Sequence, residues 1–255
     1  MILVCALLGV LGGVIAGTLG IGGGIVMAPL LLYLPPLLGA GHLDMRVVAG
    51  LTIVQSLAAA LSGAVAHRRR GKVDLLLVGW LGGAVATGAL LGGVFSHAVS
   101  SRGLAMLFAT LALVAAGLML LPRAADEKED FVLNKPLGVA LMAVVGVLGG
   151  MVGQSGAFLI VPLMLRVLRI PLRTTVGSSL GIVFLSALAG VLGKLATMQI
   201  AWPLAGALVV GALPGAQIGC WLSGRIHSRD LHGALSLLIA GSAAKMWWDI
   251  LGGRF

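Results

Sequence analysis

Polar interruptions divide the chain into eight apolar stretches, approximately residues 2–38, 47–66, 75–99, 103–121, 136–165, 173–193, 200–222 and 231–251. A helix needs about 20 mostly apolar residues to cross about 30 Å of hydrocarbon, and six of the stretches fit one crossing each. The other two, 2–38 and 136–165, are too long for a single crossing. Each is interrupted by a glycine-rich segment, Gly20-Ile21-Gly22-Gly23-Gly24 in one and Gly153-Gln154-Ser155-Gly156-Ala157 in the other. Glycine costs about 1 kcal/mol relative to alanine in a helix interior, and a cluster of glycines frees backbone groups that need partners at membrane depth. The pattern predicts two half-helices in each long stretch and an all-α polytopic membrane protein.

The stretches recur. A shift of 133 residues places Gly13, Gly17, Gly20, Gly23, Pro29 and Leu30 on Gly146, Gly150, Gly153, Gly156, Pro162 and Leu163. A shift of 127 places Arg46, Gly50, Gly63, Gly79, Gly88, Gly92, Ser96, Arg102 and Leu104 on Arg173, Gly177, Gly190, Gly206, Gly215, Gly219, Ser223, Arg229 and Leu231. The offset changes in the Pro35–Asp44 loop, which is shorter in the second copy. Internal repetition of this kind bears on the whole fold. The chain divides into a first repeat at 1–121, a linker at 122–135 and a second repeat at 136–255.

Composition narrows the class. Of 255 residues, 59% are hydrophobic, 10% are charged and 40 are glycine, which excludes a water-soluble globule. The net charge of +9 would suggest nucleic acid in a soluble protein; here it reflects basic loops, and no nucleic-acid partner is expected. Its distribution carries more information than its size. Arg68, Arg69, Arg70 and Lys72 follow the second stretch, Arg166, Arg169 and Arg173 the fifth, and Arg225 and Arg229 the seventh, while Arg102 and Lys194 follow the third and sixth. If both broken stretches are hairpins that return to the side they left, the three richer groups share one side. The positive-inside rule then makes that side cytoplasmic and selects inversion. The expected architecture is two inverted repeats, each a broken-helix, re-entrant-type hairpin followed by three transmembrane helices, in the cell membrane. The acidic loop Asp126-Glu127-Lys128-Glu129-Asp130 reads as a solvated cytoplasmic linker, and both termini are expected outside. The N-terminus lacks a basic n-region, so Met1 onward is expected to remain.

Inverted repeats with interrupted helices place substrate near the midplane between the copies. Half-helix N-termini offer unpaired N–H groups and about half a positive charge each, which suits an anion, and glycine lets backbone approach the ligand. The eight carboxylates all fall in linkers or at helix ends, against a cation pump or a buried acidic proton relay. Intramembrane polar residues cluster after the breaks as Thr52, Gln55, Ser56, Gln154, Ser155, Ser178 and Ser179. The candidate substrate-binding set is therefore Gly20, Gly22, Gly23, Gly24, Thr52, Gln55, Gln154, Ser155, Gly156, Ser178 and Ser179. Against this stands interhelical hydrogen bonding by small polar side chains, common in membrane bundles. An amide in hydrocarbon demands partners, so Gln55 and Gln154 weigh most.

Other features read as structural. Arg46 and Arg173 suit interfacial anchors, as do Trp80, Trp202, Trp221, Trp247 and Trp248. His67 and its repeat partner Lys194 suit snorkelling positions. Cys5 and Cys220 suit small buried fillers. Gly153-Gln154-Ser155-Gly156 also matches the GxSG pattern of rhomboid intramembrane serine proteases. A catalytic Ser155 needs a base within reach, and His42, His67, His97, His227 and His232 are all at helix ends. No catalytic residue, metal or cofactor is expected.

The chain resembles the TauE/SafE family of sulfite and organosulfonate exporters. The resemblance rests on Gly12-Gly13-x3-Gly17-x2-Gly20-x-Gly22-Gly23-Gly24 leading to Pro29-Leu30-Leu31, on its second copy from Gly149 to Pro162-Leu163, and on Thr174-Thr175-Val176-Gly177-Ser178-Ser179. It implies a plasma-membrane transporter, and its expected partners are a small sulfur-containing anion and the lipid bilayer. The residues alone leave open another small carboxylate or a neutral solute as cargo. The second break reads Gly-Gln-Ser-Gly-Ala where the first reads Gly-Ile-Gly-Gly-Gly, so the two half-sites are chemically unequal.

Overall fold

A computed structural model describes residues 1–19, 24–67, 74–120, 135–223 and 228–252. Gly20, Gly22, Gly23, the basic run 68–72 and the acidic linker lie outside the described residues, as do the side chains of Arg173 and Cys220. The described chain is helical throughout, with no strand. The first half contains α1 (Ile2–Leu19), α2 (Gly24–Leu37), α3 (Met45–His67), a span built from α4 (Leu75–Leu77), a π-helical segment (Val78–Gly82), α5 (Gly83–Phe95) and a 3-10 turn (Ser96–Ala98), then α6 (Ser101–Leu120). The second half contains α7 (Lys135–Val152), α8 (Ala157–Arg166), α9 (Leu172–Ala196), α10 (Trp202–Ser223) and α11 (Ser228–Leu251). Among the described residues, six helical segments are long and apolar enough to cross a membrane: Met45–Ser62, Leu75–Ala98, Ser101–Leu118, Lys135–Val152, Ser178–Ala196 and Trp202–Gly219.

The helix boundaries repeat with the sequence. At the 127-residue spacing, the starts of α3 and α4 at Met45 and Leu75 correspond to those of α9 and α10 at Leu172 and Trp202.

Packing exchanges the halves. α1 lies along α10 and α7 along α5, while α5 packs on α9 and α3 on α10. The repeated glycines make these approaches possible. A Cβ on Gly13 would strike the backbone of Ala212, and one on Gly146 would strike that of Val85, the residue equivalent to Ala212. A Cβ on Gly215 would strike Val10, and one on Gly88 would strike its equivalent, Ala143. With no side chain between them, the helices meet backbone to backbone, which is how helices associate where lipid competes for apolar surface.

The same contacts give helix directions. Gly88 and Gly92 meet Ala143 and Val147, so α5 and α7 run the same way. Val78 and Leu90 meet Gly181 and Gly193, so α5 and α9 also run the same way. The half-helix α8 between α7 and α9 therefore runs back, and Leu168, just beyond its end, lies against Gly138 near the start of α7. The second broken stretch is thus a hairpin that returns to its starting side. At the other end of the bundle, Arg102 at the start of α6 donates to Ile250 O near the end of α11 (2.9 Å), so these two helices run antiparallel. Arg46 donates through Nε and Nη2 to Val99 O at 2.9 and 2.7 Å, tying the start of α3 to the link before α6. This bond anchors the guanidinium at the bundle end.

Trp80, Trp202, Trp221 and Trp248 are exposed, as interfacial anchors require, and Cys5 is buried and free. Lys194 differs from expectation. It is fully buried rather than snorkelling, because Ser96, Gln199 and the end of α7 close over its ammonium.

Candidate functional site

The second break is a tight, strained turn. Gly153, Ser155 and Gly156 all have positive φ, at 76°, 50° and 68°. A Cβ at Gly153 would collide with the Ala49 backbone on α3, so glycine is required there for both its conformation and the close approach. Gln154 N donates to Gly149 O at 2.9 Å, continuing the last turn of α7, and Gly156 sits at the N-cap of α8. Ser186 on α9 donates to Ser155 O at 2.8 Å and fixes the turn from the other side.

This turn aims Gln154 at the start of α2. A methyl on Gly24 would collide with Gln154 Oε1 and come within 3.1 Å of Ser56 Oγ. The segment after the first break and the side chain of the second break therefore meet, with α3 passing beside them. One residue back on α3, Gln55 reaches the neighbouring space, where a methyl on Gly12 would meet its Nε2 at 2.5 Å and also strike Met27.

The chemistry of this cluster is unusual. Gln55, Ser56 and Gln154 are at most 1% exposed, yet among the described residues both amide atoms of each glutamine and the hydroxyl of Ser56 lack any hydrogen-bond partner. Leaving such groups unmet costs about 1–3 kcal/mol each. Gly24 is the first described residue of α2, so the amino-terminal part of that helix, the positive side of its dipole, lies toward the same side chains. Together they offer amide N–H and hydroxyl donors and a partial positive charge. An oxyanion's several acceptor oxygens would satisfy the two amide N–H groups and the hydroxyl, whereas the two amide oxygens call for a donor.

The other sequence candidates are placed elsewhere or otherwise engaged. Thr52 is buried, and its hydroxyl donates within its own helix to Val48 O at 2.9 Å. Ser178 accepts from Asp74 N at 3.1 Å, joining the start of α9 to that of α4 away from the glutamines. Ser179 is buried at 3% exposure. Ser155 turns its hydroxyl onto Gln154 O at 2.7 Å; it is fully buried, while His42 and His97 are exposed. Among the described residues, no group of three or more His, Cys, Asp or Glu is placed to hold a metal ion. Sequence reasoning missed Gly12 and Met27 as neighbours of Gln55. The signal for Gly12 was its place in the glycine run; Met27 gave none.

A family model described as sulfite exporter TauE/SafE matches residues 5–246. The chain belongs to the TauE/SafE family. It is similar to the "Probable membrane transporter protein YunE" of Bacillus subtilis (strain 168), 26% identical over 249 residues that cover 89% of this chain and 90% of that protein. A "Probable membrane transporter protein" of Xylella fastidiosa (strain 9a5c) is 29% identical over 254 residues, covering 92% and 91%. One of Haemophilus influenzae is 30% identical over 206 residues, covering 79% and 75%. No solved structure matches. This TauE/SafE protein is a multi-pass cell-membrane transporter, and its relatives' names describe transport rather than catalysis.

Proposed function

We propose that this TauE/SafE transporter exports a small oxyanion, sulfite or a short organosulfonate, by alternating access of two inverted halves, with the anion held between the helix breaks. The single observation that carries the reading is the meeting of two buried, unpartnered glutamine amides and Ser56 around Gly24, at the amino end of a half-helix. Such a set recognises oxygen acceptors and contains no carboxylate that would repel them.

Inversion draws support from helix directions. α6 and α11 carry equivalent segments of the sequence repeat and run antiparallel, which an axis in the membrane plane produces and an axis along the normal does not. The basic groups of the sequence fit the same arrangement.

Sulfite and methanesulfonate flux into or out of proteoliposomes tests the function. The wild type should carry at least one of these sulfur oxyanions, and Gln154→Leu should not. Flux of neither anion by the wild type, or undiminished flux by the variant, would overturn the reading.

A further inference from the structure

Lys194 is the largest charged side chain wholly inside the described bundle, at 0% exposure. Its ammonium donates to Ser96 Oγ at 2.9 Å, Met151 O at 3.2 Å and Gln199 Oε1 at 3.2 Å. All three hydrogen bonds end on neutral oxygens. The salt bridge found among the described residues, Lys245 with Asp249, lies on α11. Arg46 and Arg102, the basic groups on neighbouring segments, are engaged with the Val99 and Ile250 carbonyls. A buried charge left without a counter-charge costs several kcal/mol, so its retention calls for a compensating group.

The position of that charge is informative. Met151 is the penultimate residue of α7, and Gln154 follows three residues later in the break. A break in a helix presents two opposed dipole ends, here the negative end of α7 and the positive end of α8, each about half a charge. For an anion the first offsets the second. An ammonium bound to a last-turn carbonyl of α7 cancels the negative end and leaves the positive end of α8 to dominate.

Building on the proposed anion site, we propose that Lys194 is a specificity-determining positioning residue whose ammonium form, seated on the carboxyl end of α7, makes the second break electropositive and sets a preference for dianions over monoanions. Lys194 acts through the field at the break; it does not touch the substrate. Ser96 and Gln199 hold it there, with Gln199 Nε2 donating in turn to Thr197 Oγ1 at 2.6 Å.

Calorimetric binding at pH 6 of sulfate, a dianion at that pH, and of methanesulfonate, a monoanion, tests this on the purified full chain. A dianion gains twice the Coulomb energy from a neighbouring charge. Lys194→Gln, which keeps a donor and loses the charge, should weaken sulfate by about tenfold or more and methanesulfonate by distinctly less. Lys194→Arg should keep the wild-type ratio of the two affinities. Ser96→Ala, which keeps the charge and loses one acceptor, should also keep it, and it remains informative if Lys194→Gln does not fold. An equal loss for both anions, no loss for either, or a ratio that collapses in Ser96→Ala would overturn the assignment of charge to Lys194. If the wild type binds neither anion, the anion site itself is wrong and this inference falls with it.

Discussion

Substituting Gly153 by alanine isolates what the second break demands of its backbone. The residue has φ +76°, and a Cβ there would run into the O, C and Cα atoms of Ala49 on α3. Gly39 has a similar φ of +65° with nothing within 4 Å of its Cβ position, so it serves as a matched control. The left-handed conformation costs an L-residue about 1–2 kcal/mol at either site. Only Gly153 adds a collision with helix backbone, which cannot rotate away, and overpacking of this kind costs about 1–3 kcal/mol more. For a chain of this size each kcal/mol moves the melting temperature by about 2–4 °C. Gly153→Ala should therefore melt about 2–12 °C below Gly39→Ala. Tryptophan-fluorescence melting of the two detergent-purified variants at one scan rate makes the comparison, and anion flux should fail in Gly153→Ala alone. Equal melting temperatures would refute the claim that α3 presses on the break.

Further expectations follow from the same geometry. Replacing Gln55 and Gln154 together by leucine should raise the melting temperature of the ligand-free protein, since unmet buried polar groups cost about 1–3 kcal/mol each, while removing any stabilisation by sulfite; a lower melting temperature would count against the orphaned amides. Gly146→Leu should split α7 from α5 and prevent recovery of monodisperse protein. Gly206→Ala, with open space around its Cβ, should be neutral or gain up to about 1 kcal/mol, as read by size-exclusion profiles and melting. Ser155→Ala should keep flux, and fluorophosphonate should label neither it nor the wild type; labelling of Ser155 would revive the protease.

Much of the fold was legible because hydrocarbon imposes length. The apolar runs 47–66 and 200–222 became α3 and α10 with ends shifted by a few residues, since polar residues have nowhere else to go. The break at Gly153–Gly156 was legible because glycine and an amide in an apolar run contradict a continuous helix. The repeated glycines outside the breaks did not announce the helix contacts they serve, such as Gly13 with Ala212. What escaped was whatever depends on a neighbour's identity. Thr52 and Ser178 read as donors to a ligand, yet Thr52 donates within its own helix and Ser178 accepts from Asp74 N, partners that sequence spacing alone does not reveal. Lys194 sits one turn from a helix end, where lysines reach outward, and only packing of Ser96 and Gln199 over it turned it inward. The π-helical segment at Val78–Gly82 left no composition signal distinct from the helix around it.

The central claim is that an oxyanion sits where the two breaks meet. Selenite, the selenium counterpart of sulfite, can be located by anomalous diffraction from crystals of the purified transporter. The account predicts a selenium peak with its oxygens within hydrogen-bond reach of Gln55, Ser56 and Gln154 beside Gly24. A selenium site elsewhere in the bundle, with those amides still unpartnered, would contradict it.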